Sequence, residues 1–428
     1  MSAPFARPSA GSAVGETQAT HLHSVAALLA AVLFLGGLAA VYLIGDRVIA
    51  HYIRGLAKVP YERKYSGIVL QREALRHPDL LSLYGTSEVF MDSPYHAKDL
   101  FADAPTGFSI FAVGRNGALV FTTLQSLGAL GANLSGKKVV LSLSPPMFEN
   151  PGGRYLDVRY LASFSPVQAL SLFMSDDLSS DLKSDIAKRF LAHSSMLDRN
   201  KIADLLVNHY GEHSLTSFVL YKAIAPLAYL QRFLLELEDK TRVMARFVRT
   251  PAWRSAAKPN PRELDWAKLL ADARGEYEPR ASQNPFGVYD RWWNANEWKV
   301  VESRDLSRDD LFYRESDEQF LHSLYRAEAW LDLELTIRIL KEVHADAMIL
   351  SMPLHGSWWD YARVSAASRR QYYDRLRELG ARYAVRTVVL DDHEADRYFF
   401  SDLGSHPSPV GWIHYDRAID AFYHDRLN

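Results

Sequence analysis

Ser87 ends a short turn, Gly85-Thr86-Ser87, which follows the apolar run LLSLY at 80–84. If this run is a buried strand, the Ser87 hydroxyl lies at the carboxyl edge of a sheet, where open α/β sheets bind ligands. A following helix would offer backbone N–H groups to developing negative charge, and Glu88 in its first turn would suit the helix dipole as a structural residue. The position suits a serine nucleophile, although a serine that caps an ordinary turn is the commoner case for this pattern taken alone. It is not the G-x-S-x-G elbow of α/β-hydrolases.

A carboxylate and an imidazole stand four residues apart near the C-terminus, at Asp402 and His406, in a loop rich in glycine and proline. A histidine that acts as a base needs a group to fix its tautomer, and a nearby carboxylate does this. A helix predicted to begin at Gly411-Trp412 would hold the loop in place. The pair can therefore complete a Ser-His-Asp site with Ser87. The alternative is that His406 is an ordinary surface residue.

Metal and nucleotide cofactors have no recognisable motif in this chain. The histidines at 393, 406, 414 and 424 are scattered, without HExxH or paired-ligand spacing, and DDHEAD at 391–396 is typical of a solvated acidic turn. The sequence contains no Walker loop and no G-x-G-x-x-G. It therefore predicts neither a cofactor nor a metal site.

Composition excludes further classes of protein. With 48% hydrophobic and 23% charged residues, the chain is globular rather than disordered. A net charge of −2 gives no general electrostatic reason to expect nucleic acid as a partner. The chain has no cysteine, which excludes disulfides, thiol catalysis and thiolate metal sites.

Tryptophans occur in clusters at 292–293, 298 and 358–359. Such rings can form a platform for a sugar or a lipid headgroup, although core packing is the commoner fate of tryptophan. Both interpretations stay open, and Trp358 is kept as a candidate substrate contact.

Short apolar runs that end in small or polar residues predict buried strands. They lie at 80–87, 109–114, 137–146, 347–353 and 386–392. Helical patterns separate them at 118–130 and at 368–380, where Gly380 is the expected C-terminal stop. Buried strands that alternate with helices favour a parallel α/β sheet.

Residues of about 165–345 carry long amphipathic stretches without a comparable strand pattern. The segment Ser165-Pro166-Val167-Gln168 is typical of a helix start, with a capping box and proline in the first position. We interpret the region as a large helical insertion within one α/β domain.

The N-terminal region predicts one membrane anchor. Residues 1–24 are small and polar and are interpreted as a flexible tail. The 21 uncharged residues at 25–45 would span roughly 31 Å as a helix, about one hydrocarbon core. Residues 46–77 are interpreted as a juxtamembrane connector, and residues 78–428 as the main domain.

The charges that flank this anchor give a weak preference for one orientation. Arg7 precedes the anchor, whereas Arg47, Arg54 and Lys58 follow it. By the positive-inside rule this leans toward a cytoplasmic main domain, although long domains translocate largely regardless of charge.

Several short segments, taken in order, carry a resemblance to a known family. They are Gly85-Thr86-Ser87-Glu88, Ser144-Pro145-Pro146-Met147-Phe148, NPFGVYDRWW at 284–293, EAWLDLEL at 328–335, MPLHGSWWDY at 352–361, and the Asp402, His406 and Gly411-Trp412 end. Together with the anchor they resemble the DltD family, the membrane-anchored D-alanyl transfer proteins of teichoic acid modification. The resemblance covers most of the chain after the anchor and implies a parallel-sheet SGNH/flavodoxin-like core.

The resemblance implies catalytic roles for individual residues. Ser87 falls where the family places its nucleophile, His406 at the base and Asp402 at the orienting acid. The backbone N–H groups of Ser87 and Gly114 are the implied oxyanion donors.

Other residues follow from the same resemblance. Asn116 or Gln125 would be a side-chain oxyanion donor, and Ser144 would contact substrate along with Trp358. The chain departs from the family in three places. Thr86 replaces a second serine, Pro146-Met147 replace Gln-Trp, and three residues rather than two separate the acid from the base.

The resemblance therefore implies an O-acyltransferase that transfers D-alanine to hydroxyls of an envelope polymer, with its domain outside the cytoplasmic membrane. The implied partners are a membrane-bound O-acyltransferase and an acyl-carrier system. Two alternatives stay open. One is an acetyltransferase or esterase that acts on an envelope polysaccharide with the same triad. The other is a non-catalytic partner of a membrane-bound acyltransferase.

Overall fold

The computed structural model of the chain describes residues 12–148, 153–212, 214–249, 261–289, 316–403 and 406–427. The strands are β1 Leu80–Tyr84, β2 Ser109–Val113, β3 Lys138–Leu143, β4 Asp346–Ser351 and β5 Arg386–Val389. The helices before β4 are α1 Ser12–Leu56, α2 Arg63–Ser66, α3 Val69–Arg76, α4 Ala97–Leu100, α5 Val120–Leu130, α6 Gly153–Ser163, α7 Pro166–Met174, α8 Ser180–Leu191, α9 Lys201–Glu212, α10 Leu215–Arg249, α11 Trp266–Ala281, α12 Asp317–Arg326 and α13 Ala329–Glu342. Those after β4 are α14 Gly356–Tyr361, α15 Ala366–Tyr383 and α16 Pro409–Tyr423.

The strands form one parallel sheet in the order β2-β1-β3-β4-β5. This is the flavodoxin-like strand order, and it confirms the parallel α/β fold predicted from the alternating pattern. In such a sheet the chain turns to opposite sides at β1 and β3, which opens a crevice at the carboxyl ends of these two strands. Ser87 follows β1, so the fold puts it at the edge where ligands bind.

Both faces of the sheet are covered, which explains why its strands read as unbroken apolar runs. In β1, Leu80 and Tyr84 pack into one core, while Leu81 and Leu83 between them pack into the other. The first core also holds α1 and the helices of the insertion. The second holds the C-terminal helix α16, with Trp412 completely buried.

The helical insertion lies between β3 and β4, as the sequence predicts. Ser165 caps α7 by accepting a hydrogen bond from the Gln168 backbone N–H, with Pro166 in the first turn. The reciprocal half of the predicted capping box is absent from this helix. The Gln168 side chain instead donates to the carbonyl oxygens of Tyr65 and Gly67, at 2.9 and 2.8 Å, and so ties α7 to the segment before α3.

A buried ion pair joins two helices of the insertion, α8 and α13. The Arg189 guanidinium on α8 donates to the Asp332 carboxylate at 2.6 Å, and both side chains are almost fully buried. Tyr160 donates to the same carboxylate at 2.8 Å. Glu328 accepts from Arg189 at 2.7 Å, and hydrogen bonds to His193 and Arg189 lower the pKa of Glu328 to about 2.

Helix α15 does not stop at Gly380, contrary to the prediction. It continues to Tyr383, and Ala384 ends it in the left-handed conformation, with a φ of 49°. Gly380 serves the packing against β5 instead, because a Cβ atom there would overlap the hydroxyl of Thr387.

The N-terminal helix is longer than the predicted anchor at both ends. Helix α1 begins at Ser12, inside the segment interpreted as a flexible tail, and it extends to Leu56. Its C-terminal turns belong to the domain core, where Ile49, Ile53 and Leu56 are buried. Part of the segment interpreted as a connector is therefore a structural element of the domain.

Two helices of the described chain are long and apolar enough to cross a membrane by length and composition. They are α1 and α10. The two helices lie side by side and run parallel. Along them Tyr42 contacts Phe233, with ring centroids 5.7 Å apart, and farther on Tyr52 contacts Phe247 at 4.9 Å.

Candidate active site

Ser87, His406 and Asp402 form one chain of hydrogen bonds at the carboxyl edge of the sheet. The Ser87 Oγ atom lies 2.7 Å from Nε2 of His406. On the other side of the ring, Nδ1 is hydrogen-bonded to Oδ2 of Asp402. The Asp402 carboxylate also accepts from the backbone N–H of His406 at 3.1 Å. The extra residue between acid and base is thus compatible with contact between them.

The two ends of the loop that carries Asp402 and His406 are held together by backbone contacts. Phe400 and Pro407 pair across it as an antiparallel bridge. The backbone N–H of Ser401 donates to the His406 carbonyl at 2.9 Å. Ser408 caps α16, which starts two residues before the predicted Gly411. These contacts fix the direction from which His406 approaches Ser87.

Glu88 organises the turn that presents Ser87. It is completely buried, and its carboxyl group accepts from the backbone N–H of Thr86 at 2.9 Å and from the Thr86 hydroxyl. It also accepts from the Ser142 hydroxyl of β3 at 3.0 Å. The structural role predicted for Glu88 therefore consists in linking the turn that presents Ser87 to the neighbouring strand, and Thr86 supplies two of the three donors.

Replacing Thr86 with valine is expected to destabilise the fold by about 1–3 kcal/mol, because one buried Glu88 oxygen loses its donor. Thr86→Ser keeps the hydroxyl and should stay close to the parent protein. Denaturation midpoints of the two variants, measured side by side, test this. Equal midpoints for Thr86→Val and Thr86→Ser would show that the hydroxyl does not contribute.

His96 is a structural residue that the sequence analysis missed. It is buried, and burial lowers its pKa to about 3. Its Nδ1 accepts from the Lys98 backbone N–H at 3.0 Å, so Nε2 carries the hydrogen and donates to the Glu88 carbonyl at 2.8 Å. The ring packs at a tilt of 35° against Trp412, with centroids 3.9 Å apart. No spacing rule in the sequence links His96 to either partner.

Gly114 lies beside the turn that presents Ser87, and its role as an oxyanion donor stays a prediction. The backbone of Gly85 donates to the Val113 carbonyl at 3.0 Å, which joins the ends of β1 and β2. A Cβ atom at Gly114 would come within 2.4 Å of the Gly85 carbonyl oxygen. Only glycine therefore allows the two loops to approach this closely.

The two side chains considered as oxyanion donors lie in different environments. Asn116 is exposed in the loop between β2 and α5. Gln125 is fully buried on α5, where its amide nitrogen donates to the Ser163 carbonyl at 3.0 Å and its oxygen accepts from the Ser165 N–H at 3.2 Å. These contacts hold α5 against α6 and α7. Gln125 therefore acts as a packing residue in this structure, and its role as an oxyanion donor stays a prediction.

Ser144 and Trp358 follow β3 and β4, so both lie at the same edge of the sheet as Ser87. Ser144 is buried and its N–H contacts the Met147 sulfur at 3.4 Å. Trp358 is partly buried and packs edge-on against Phe286, with ring centroids 5.4 Å apart. The other tryptophan pair at 292–293 and Trp298 lie outside the described residues.

His355 is a second buried histidine that the sequence analysis did not single out. Its ring stacks on Phe400 at 5.6 Å, and its Nε2 is 2.8 Å from the Phe286 carbonyl. Burial lowers the pKa of His355, while the charge of Asp402 acts in the opposite direction. His355 thus packs the loop after β4 against the loop that carries the acid and the base.

The histidines predicted to be scattered are partly brought together. The ligand atoms of His393, Asp396 and His414 lie within 4.8 Å of one another. Arg274 donates to the Asp396 carboxylate at 3.1 Å, so a cation bound here would have to share this group with a guanidinium. Burial lowers the pKa of His414 to about 4, and His393 contributes to this. We interpret the cluster as packing between the acidic turn and α16.

The strand order, the helical insertion and the position of Ser87 at the switch point place the chain among α/β proteins with a flavodoxin-like parallel sheet. A family model described as DltD protein matches residues 58–424. The chain therefore belongs to the DltD family.

Two relatives show how far the similarity extends. Protein DltD of Bacillus subtilis (strain 168) is 24% identical over 363 residues, which cover 84% of this chain and 86% of the relative. Protein DltD of Staphylococcus aureus (strain NCTC 8325 / PS 47) is 21% identical over 355 residues, covering 82% and 83%.

Proposed function

We propose that this protein is a membrane-anchored O-acyltransferase that transfers D-alanine to hydroxyl groups of a cell-envelope polymer, in a pathway of teichoic acid type. The observation that carries the proposal is the hydrogen-bonded chain from Ser87 through His406 to Asp402 at the sheet edge. Membership of the DltD family supports D-alanine as the acyl group and an envelope polymer as the acceptor.

The proposed reaction has two steps that use the same three side chains. Ser87 Oγ attacks the carbonyl carbon of an activated D-alanyl group while Nε2 of His406 takes the hydroxyl proton. The C–O bond to the serine forms, the bond to the donor breaks, and His406 returns the proton to the leaving group. Backbone N–H groups of Ser87 and Gly114 would stabilise the negative charge on the carbonyl oxygen.

In the second step an acceptor hydroxyl attacks the ester on Ser87. His406 takes the proton from this hydroxyl and delivers it to the serine oxygen as the ester bond breaks. Asp402 holds the imidazole in the tautomer that this exchange requires and stabilises its protonated form. Because water is also a hydroxyl acceptor, the triad chemistry alone serves transfer and hydrolysis equally.

The anchor determines where this chemistry takes place. We propose that α1 crosses the membrane at about 25–45 and that the domain lies on the extracytoplasmic side. A membrane-bound O-acyltransferase with its acyl-carrier system would then supply the alanyl donor at the bilayer. The continuous helix between the span and the domain core supports a site held near the membrane.

The nucleophile is tested by exposing the full-length protein to a fluorophosphonate and measuring its intact mass. We expect one adduct on the parent protein and none on Ser87→Ala. Ser93→Ala, which replaces a serine six residues after Ser87 and outside the triad, should keep the adduct. No adduct on folded parent protein would favour the non-catalytic partner role instead.

The acceptor is tested in cells that lack the parent gene. Restoring D-alanyl esters on the envelope with the parent protein but not with Ser87→Ala would support acyl transfer. Restoration by both proteins would overturn it in favour of a binding role. An adduct without any change in D-alanyl esters would favour the acetyltransferase or esterase alternative.

A further inference from the structure

The first half of α10 carries an apolar surface that the rest of the described chain does not cover. Its exposed members are Leu215, Phe218, Val219, Leu220, Leu227, Tyr229, Leu230, Phe233 and Leu234. The opposite side of the helix faces the domain, where Ser217 and Ala228 are buried. We call the exposed set the α10 face. An apolar patch of this extent marks a contact with another surface rather than with water.

The charges along the α10 face are few and of one sign. Between residues 215 and 235 the sequence holds two basic residues, Lys222 and Arg232, and no acidic residue. Lys222 folds over the ring of Phe218 at 5.4 Å, and Arg232 over Tyr229 at 5.4 Å. Long basic side chains that cover apolar rings and present their charged ends outward are typical of helices at a membrane surface.

The α10 face continues directly into the proposed membrane anchor. Tyr42 of α1 contacts Phe233 at one end of the face, and Lys240 pairs with Asp46 at 2.9 Å just beyond it. Gly45 allows the close approach, because a Cβ there would meet the Lys240 side chain. Since the helices run parallel, the α10 face extends from Phe233 in the same direction as the segment of α1 that is proposed to cross the bilayer.

We infer that the α10 face binds the lipid bilayer, as a second membrane contact beside α1. The apolar side chains would enter the region between headgroups and acyl chains, with Lys222 and Arg232 at the lipid phosphates. The inference rests on the proposed anchoring by α1. It adds a function for the insertion: to hold the domain, and with it Ser87, at a fixed height and tilt over the membrane.

The absence of cysteine makes the test simple, because each single-cysteine variant carries one label. Full-length protein with Leu227→Cys or Leu230→Cys is labelled with an environment-sensitive NBD dye and reconstituted into vesicles with lipid-borne doxyl quenchers. Leu33→Cys in α1 reports on the anchor. Leu331→Cys on α13, a leucine of similar exposure at 49% against 57% for Leu227, is the matched control.

We expect doxyl lipids to quench the labels at 227, 230 and 33, while the label at 331 keeps its fluorescence. Labels at 227 and 230 that behave like the one at 331, with 33 quenched, would overturn the inference and leave the anchor intact. No quenching at 33 would overturn the anchoring on which it rests.

A second copy of the chain is the other occupant that this experiment distinguishes. Quenching at 227 and 230 that stays constant as the protein is diluted into lipid supports the bilayer. Quenching by aqueous iodide measures whether the same labels are exposed to water. Labels that are protected from iodide but not quenched by doxyl lipids, and that lose this protection on dilution, would assign the α10 face to a protein–protein contact. Adding anionic lipid should strengthen the quenching, since both charges on the face are basic.

Discussion

Replacing His406 by alanine is expected to slow the reaction of Ser87 with a fluorophosphonate by about 10²–10⁴-fold, the usual contribution of a positioned general base. The Ser87 Oγ atom lies 2.7 Å from Nε2 of His406, so this ring is placed to receive the hydroxyl proton. Without the ring, the proton has to leave to water while the oxygen attacks. The hydroxyl is then a poor nucleophile.

The rate of adduct formation, followed by intact mass over time, measures this effect. His322→Ala removes an exposed histidine of α12 and should leave the rate unchanged. A His406→Ala protein that reacts as fast as the parent, with Ser87→Ala still inert, would mean that another group activates the serine. Circular dichroism of each variant separates loss of the base from loss of the fold.

The largest expected effect on stability comes from Arg189→Ala, at about 3–5 kcal/mol. Asp332 is completely buried, and Arg189 is the cation that compensates its charge. The alanine variant leaves this carboxylate in an apolar environment with Tyr160 as a remaining donor. Because the pair joins α8 to α13, these two helices of the insertion are expected to loosen from each other.

Chemical denaturation of the full-length protein, followed by fluorescence, measures the loss. Arg338→Ala is the matched control, since Arg338 pairs with a partly exposed Asp185 and such pairs contribute at most about 1 kcal/mol. The double variant Arg189→Met with Asp332→Leu should recover much of the stability, because it removes both charges together. If Arg189→Ala is no less stable than Arg338→Ala, the buried pair does not contribute the expected stability.

Local patterns in the sequence predict the sheet and the residues that meet at its edge. Each strand is a short apolar run ended by a turn, and the parallel arrangement follows from burial on both faces. Ser87 could be predicted because it sits one turn after such a run. The contact of His406 with Ser87 also depends on the loop that ends at α16, and for this the resemblance to the family was needed.

What the sequence did not predict depends on packing between distant segments. The amide of Gln125 can form the same hydrogen bonds in a site or in a core, and only the neighbouring Ser163 and Ser165 decide between them. Gly380 has the residue type of a helix stop, yet its closeness to Thr387 keeps it inside α15. His96 donates to the carbonyl of Glu88, which stands eight residues earlier in the sequence. No helical or strand pattern in the sequence predicts this hydrogen bond.

The unbroken course of α1 from the proposed span into the core has a mechanical consequence. Each residue of an α-helix advances the rotation about its axis by about 100°, with about 3.6 residues per turn. A continuous helix also resists torsion along its length. The domain cannot rotate freely about α1, because Ile49 and Ile53 are packed in its core and Tyr42 contacts Phe233. Under the proposed anchoring, the rotation of α1 in the bilayer would set the direction in which the Ser87 crevice opens. An acyl donor embedded in the same membrane would meet the crevice from one side of that helix.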